Sequence, residues 1–309
     1  MPTVGRTSFV MSMEQLSTSA IQTCSGLPIL PGPGVAQHLP GTGSYSMSDL
    51  LCPTDLSELG RTALTHAHHL AGRMQASVTL LHVRDGSERK GPRAEEVQAQ
   101  LNADAAGVGG GANVNIKLRD GNFLKEIQKE AAEGHTMMVA GTHGPRGLRQ
   151  NLFGADILKL VRHIPIPSWI MQVASPVRAV ERLVMPVAGH SDISGLLAAT
   201  TQLARACGSQ VHVFQLMRPG ESPSDHLLQN KLKMLHHLAD QGIPHLEVNE
   251  PSTVYSIGFA EQTIQYARKV DAQGIAIMAT ASDDYRYIAD AEKERLLMNE
   301  AELPVLCSC

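Results

Sequence analysis

The chain has 309 residues, 43% of them hydrophobic, which is enough for ordinary buried cores and, at this length, for two domains. The formal net charge, 26 − 30 = −4, gives no electrostatic reason to expect nucleic acid or an anionic membrane as partner. No apolar run approaches the ~20 residues that cross a bilayer, and no sustained apolar stretch follows Arg6, so neither a membrane span nor a secretory signal is expected.

Residues 1–47 differ from the rest. They carry LPILPGPG and LPGTGS and very little charge, and they read as a flexible leader. The first strand is expected at Leu50–Pro53. Ser57 is a plausible N-cap for a helix whose apolar face is Leu59, Ala63, Ala67, Leu70 and Met74. Ser77–Val83 is a second strand, and residues 84–93 a loop. Ala94, Val97, Leu101 and Ala105 mark a second helix, ended by Gly109, Gly110 and Gly111. Val114–Leu118 is a third strand. Phe123, Leu124, Ile127 and Ala131 mark a third helix, closed at Gly134.

The next stretch organises the chain. Met137–Ala140 is a short apolar run of buried-strand type, and it breaks into a loop with glycines at 141, 144 and 154. Ile157, Leu158 and Val161 then carry helical periodicity. Pro165 and Pro167 stop it, and Ser168–Val173 forms a fifth strand. Strand, glycine loop, helix, strand is how α/β proteins build an anion site: glycine lets the backbone approach closely, and amides at a helix start point at the anion. Strands alternating with helices also imply right-handed crossovers and a parallel sheet.

After a linker at 174–181 the pattern recurs. Residues 49–83 align without a gap on 182–216, with identities at Leu50/Leu183, Pro53/Pro186, Leu64/Leu197, Leu70/Leu203, Ala71/Ala204 and Val78/Val211. Gly121–Ile127 matches Gly258–Ile264. MMVAGT at 137–142 is matched to IAIMAT at 275–280, and LPVLCSC echoes IPIPSWIM.

The spacing G-x2-G-x9-G, the GTHG that follows a strand, and the later VRHIPIP resemble the universal stress protein family. The resemblance covers roughly residues 48–309 as a tandem pair: domain one at 48–174, domain two at 180–309. It implies two Rossmann-like α/β domains of the adenine nucleotide alpha hydrolase-like kind, each a parallel five-stranded sheet flanked by helices. It also implies an adenine nucleotide (ATP, ADP or AMP) as ligand, with magnesium as its companion ion. By the same resemblance, Pro53, Thr54 and Asp55 meet the adenine end, Val83 lines its pocket, Ala140, Gly141, His143 and Gly144 border ribose and phosphates, and Gly154 and Ala155 face the phosphates. The alternative for Asp55 is a turn and cap residue only, and for His143 a solvated loop histidine.

This sequence departs from the family pattern in two places. Ala155 lacks the hydroxyl that would donate to a phosphate, and Asp156 puts a negative charge beside it, which a divalent cation, Arg146 or Arg149 would have to offset. The second repeat departs further: Ala188 stands where Asp55 stood, and Ala281, Ser282 and Asp283 replace the glycine loop. One nucleotide site, in the first repeat, is the expectation.

Other constellations are weaker. His66, His68 and His69, with His236 and His237, have no Cys or carboxylate set at ligand spacing, and read as solvated helix histidines with no metal. Five scattered cysteines, Cys24, Cys52, Cys207, Cys307 and Cys309, read as reduced thiols in a cytoplasmic protein. There is no GK[ST] loop, no G-x-S-x-G elbow and no H-E-x-x-H, and no base or nucleophile stands out. The expected function is therefore a non-catalytic, nucleotide-binding stress-response module. A scaffold that has lost the nucleotide and a slow ATPase are the alternatives. The expected partners are the nucleotide and the other repeat, which would pair through the last strands and bury Trp169, with a homodimer left open.

Overall fold

A computed structural model of the protein describes residues 48–142, 157–217, 220, 222–252, 258–282 and 290–309. The first half runs β1 (Asp49–Thr54), α1 (Glu58–Met74), β2 (Ser77–Arg84), α2 (Pro92–Gly107), β3 (Val114–Asp120), α3 (Phe123–Ala131), β4 (Met137–Gly141), α4 (Ile157–His163) and β5 (Ser168–Met171). The second runs β6 (Arg182–Pro186), α5 (Ser194–Cys207), β7 (Gln210–Met217), α6 (Asp225–Asp240), β8 (His245–Pro251), α7 (Phe259–Lys269), β9 (Gly274–Met278), α8 (Asp290–Leu297) and β10 (Val305–Ser308).

Local chemistry sets these boundaries. Ser57 caps α1, its hydroxyl accepting from the Gly60 amide at 3.2 Å. Asn122 and Ser224 cap α3 and α6 in the same way. Pro92 opens α2 at its first turn, earlier than the apolar periodicity indicates, because a proline there forfeits no helical hydrogen bond. Of the apolar face expected on α2, only Val97 and Leu101 are buried.

The strands form one ten-stranded sheet in the order β3-β2-β1-β4-β5-β10-β9-β6-β7-β8. Pairings within each half are parallel. The halves meet where β5 lies antiparallel to β10, with Trp169 opposite Leu306. Each half contributes five strands, and the halves pair through their last strands, as expected, so that the ten strands form one sheet. Helices cover both faces. α1, α2, α5 and α6 bury Leu64, Leu101, Leu203 and Met234 on one side. α3, α4, α7 and α8 bury Ile127, Leu160, Phe259 and Leu296 on the other. Each apolar layer runs across both halves, so the cores are continuous through the junction.

The gapless match of 49–83 to 182–216 holds as structure. β1 and β6, and likewise β2 and β7, occupy equivalent positions, and Leu50 pairs with Val78 as Leu183 does with Val211. The later match needs correction. Leu50 pairs with Met137, and its counterpart Leu183 with Gly274. The Thr142 amide donates to Met171 at the end of β5, and the Ala279 amide to Ser308 at the end of β10. Residues 137–142 therefore correspond to 274–279, one residue earlier than the apolar match placed them. Thr142 is the counterpart of Ala279, not of Thr280.

Candidate functional site

In each half the strand order reverses once, between β1 and β4 and between β6 and β9. Open α/β sheets bind ligands outside the carboxyl ends of the strands at such a reversal. The two crevices differ in what fills them.

In the first, β1 ends at Thr54 and Asp55 follows. Asp55 Oδ1 accepts from the Ser57 amide at 3.0 Å and from the Ser57 hydroxyl. Oδ2 accepts no hydrogen bond among the described residues. The turn therefore uses only Oδ1. Leu56 takes φ 64°, and its amide donates to Thr54 Oγ1 at 3.0 Å. A Cβ at Gly60 would lie 2.5 Å from Thr54 Oγ1 and 3.3 Å from Asp55 Oδ1, so the first turn of α1 sits directly on this turn.

Pro53, Val83 and Ala140 are buried. By strand alternation they share the sheet face that α3 and α4 cover, and Asp55 continues that face. Gly141 points to the other face. A Cβ there would lie 2.4 Å from the Leu59 side chain, so packing alone requires glycine at this position. Thr142, which the sequence did not single out, is fully buried, and its hydroxyl has no hydrogen-bond partner among the described residues. His82 closes the floor: Nδ1 lies 2.9 Å from the Thr54 carbonyl and Nε2 3.2 Å from Glu88. His143, Gly144, Gly154 and Ala155, like Arg146, Arg149 and Asp156, lie outside the described residues.

The second crevice is filled by its own side chains. His190 Nε2 lies 2.9 Å from the Thr280 carbonyl, bridging the two strand ends. Asn230 Nδ2 donates to Ala188 O at 2.7 Å and His190 O at 2.8 Å. The Ser282 hydroxyl donates to Gly189 O at 2.7 Å. Lys293, 1% exposed, donates to Thr280 O. Burial and the nearby Arg162 hold the Lys293 amine below its usual pKa. Arg162 reaches across from α4 of the first half: Nε donates to Ala279 O at 2.8 Å, and the rest of the guanidinium grips Asp290. These groups come from α4, α6, α8 and two strand ends, and no local motif announces them. Asp283 lies outside the described residues.

The histidines need one correction. His66 is buried, not solvated, with Nε2 3.1 Å from Ser175 O, and burial lowers its pKa. His68 accepts from the Ala112 amide at 3.1 Å, and His237 bonds Thr201 at 2.9 Å. Among the described residues no three His, Cys, Asp or Glu side chains cluster as metal ligands, and no helix is long and apolar enough to cross a membrane.

The comparisons with known proteins agree with this architecture. The universal stress protein family model matches residues 47–172. A universal stress protein from Archaeoglobus fulgidus DSM 4304 superposes with a TM-score of 0.62 at 15% identity, covering 85% of this chain and 99% of that one. A protein of unknown function from Pseudomonas aeruginosa PAO1 superposes with a TM-score of 0.51 at 18% identity, covering 85% and 92%. No curated protein matches the sequence. The first half therefore matches the universal stress protein family at residues 47–172, and the second half repeats the same fold.

Proposed function

We propose that the first half holds one adenine nucleotide per chain and that the protein acts as a non-catalytic regulatory module. The observation that carries this reading is the contrast between the crevices: among the described residues, the first keeps a carboxylate oxygen and a buried threonine hydroxyl without partners, while the second is closed by His190, Asn230, Ser282 and Lys293. The residues present fit the base and ribose. Asp55 Oδ2 would accept from a base edge or a ribose hydroxyl, and Val83, Pro53 and Ala140 form an apolar wall. His143, Gly144, Gly154 and Ala155 would border the phosphates.

The phosphate end is the weaker half of the fit. Two unit charges ~6 Å apart at an effective dielectric near 20 repel by about 3 kcal/mol, an upper figure because solvent screens it. Asp156 therefore favours AMP or ADP over metal-free ATP, and magnesium narrows that gap. Ala155→Ser with Asp156→Val strengthens ATP binding more than AMP binding. If wild type already prefers metal-free ATP and the double change leaves the ratio untouched, this account of Asp156 is wrong. The second reading, a scaffold without nucleotide, is favoured by Ala155 and Asp156.

Mass spectrometry of small molecules released from the purified protein separates the two. Release of an adenylate supports the nucleotide reading. A protein that releases none, and that gains no thermal stability from added ATP, ADP or AMP, supports the scaffold.

A further inference from the structure

On the opposite end of the sheet from the crevices, α1 of the first half meets α5 and α6 of the second around a cleft of about 560 Å³. That volume is in the range of small-molecule sites. Arg73, Arg205, His237 and Gln241 line it, with Met74 and Ala206 as an apolar floor. No carboxylate is among the described residues that line it. Arg73 makes no ion pair among the described residues, and Arg205 donates only to the neutral Gln241, at 2.6 Å to Oε1 and 3.2 Å to the carbonyl. Of the other described arginines, Arg84, Arg89, Arg93, Arg119, Arg162, Arg178, Arg182 and Arg295 pair with carboxylates, whereas Arg61, which donates to Leu56 O, and Arg268 make no ion pair among the described residues.

Three helix C-termini surround the cleft, each with a partial negative charge of about half a unit. Two guanidiniums more than offset them, leaving roughly half a positive charge with His237 neutral. A guanidinium is a planar fork that matches a carboxylate or phosphate with two hydrogen bonds, and Arg73 offers an uncommitted one.

We propose that this cleft is a second binding site, for a small organic anion: a phosphate or carboxylate held between Arg73 and Arg205, with an apolar body resting on Met74 and Ala206. Because both halves contribute walls, its ligand would bridge them. The site is independent of the nucleotide crevice.

The test is amide-resolved NMR on the Asp55→Asn protein, which mutes the first crevice, titrated with phenyl phosphate, benzoate and inorganic phosphate. The expected result is saturable shifts at Met74, Ala206 and Gln241. The aromatic probes should bind more tightly than inorganic phosphate, and the stronger of the two aromatic probes identifies the preferred head group. Arg73→Gln and Arg205→Gln, both at exposed positions, should each weaken binding at least about tenfold, with unchanged circular dichroism melts. The proposal is overturned if no cleft amide shifts, if the shifts lie only elsewhere, or if the double variant binds as wild type does.

Discussion

On the proposed reading Asp55 carries two jobs on one carboxylate, a turn contact and a ligand contact, and they can be separated. Asp55→Asn keeps a carbonyl oxygen in the place of Oδ1, so the turn with Ser57 survives. It replaces the second oxygen with an amide that cannot accept. The stabilisation by adenine nucleotides should vanish while the melting temperature of the unliganded protein moves little. Asp55→Ala should lose both, with about 1 kcal/mol of stability gone along with the turn. A melt showing equal nucleotide stabilisation in wild type and Asp55→Asn would show that Oδ2 does not meet the ligand. Gly141 tests packing at the same scale. Gly141→Ala drives a Cβ into Leu59 and should cost about 1–3 kcal/mol by denaturant unfolding. Adding Leu59→Ala should recover part of that cost, and an additive double change would deny the contact.

At the scale of elements, the amino-terminal end of the first half is held by a charged network. Glu130 of α3, 1% exposed, accepts from Lys117 at 2.7 Å, Arg119 at 2.6 Å and His135 Nε2 at 2.9 Å. His135 Nδ1 reaches Asp49 of β1 at 2.6 Å. Burial pushes the Glu130 carboxyl up, but its three donors outweigh burial and hold it below the usual range. Burial likewise pulls His135 down, and its hydrogen bonds to Asp49 and Glu130 outweigh that, leaving it above 6.5. His135 binds its proton more tightly when folded, so its contribution is complete below about 6.5 and is lost as pH rises through the raised value. Glu130 behaves oppositely, its contribution being lost as pH falls through the depressed value. Urea unfolding from pH 6 to 8.5 should therefore show wild type losing stability relative to His135→Gln as pH rises, the opposing contribution of His66 being common to both. An unchanged slope would remove His135 from the account. Glu130→Gln should cost up to about 3 kcal/mol, less than a fully buried pair, because Lys117 is partly open to solvent and keeps Glu133.

The elements themselves were largely legible. Ser57, the α1 stripe and the 49–83 repeat register all follow from local chemistry. The one-residue slip at β9 has a physical cause. Central parallel strands are buried on both faces, so GIAIMA and IAIMAT look equally apolar and the sequence does not say which residue faces which way. The closure of the second crevice was legible only in part. Ala188 and the missing glycines signalled the loss of a ligand, but Asn230, Lys293 and Arg162 reach the strand ends from distant helices, and only tertiary structure brings them there.

For the whole molecule, the continuous sheet predicts that residues 48–309 unfold as one unit. Trp169, the only tryptophan, sits on the junction at 1% exposure, and a Cβ on Gly274 of the second half would lie 2.7 Å from its ring. Its native emission should be blue-shifted and resistant to iodide. Its urea transition should coincide with that of the ellipticity. Fluorescence that changes well before ellipticity would mean that the halves part first. Above these sits the asymmetry between a first crevice whose Asp55 Oδ2 and Thr142 hydroxyl are unpaired among the described residues and a second one filled by its own side chains. Isothermal calorimetry with AMP, and with ATP in the presence and absence of magnesium, tests it most directly. The account predicts one nucleotide per chain, with binding abolished by Asp55→Asn and untouched by Ala188→Ser. Two equivalent sites per chain, or a single site indifferent to Asp55→Asn, would contradict it.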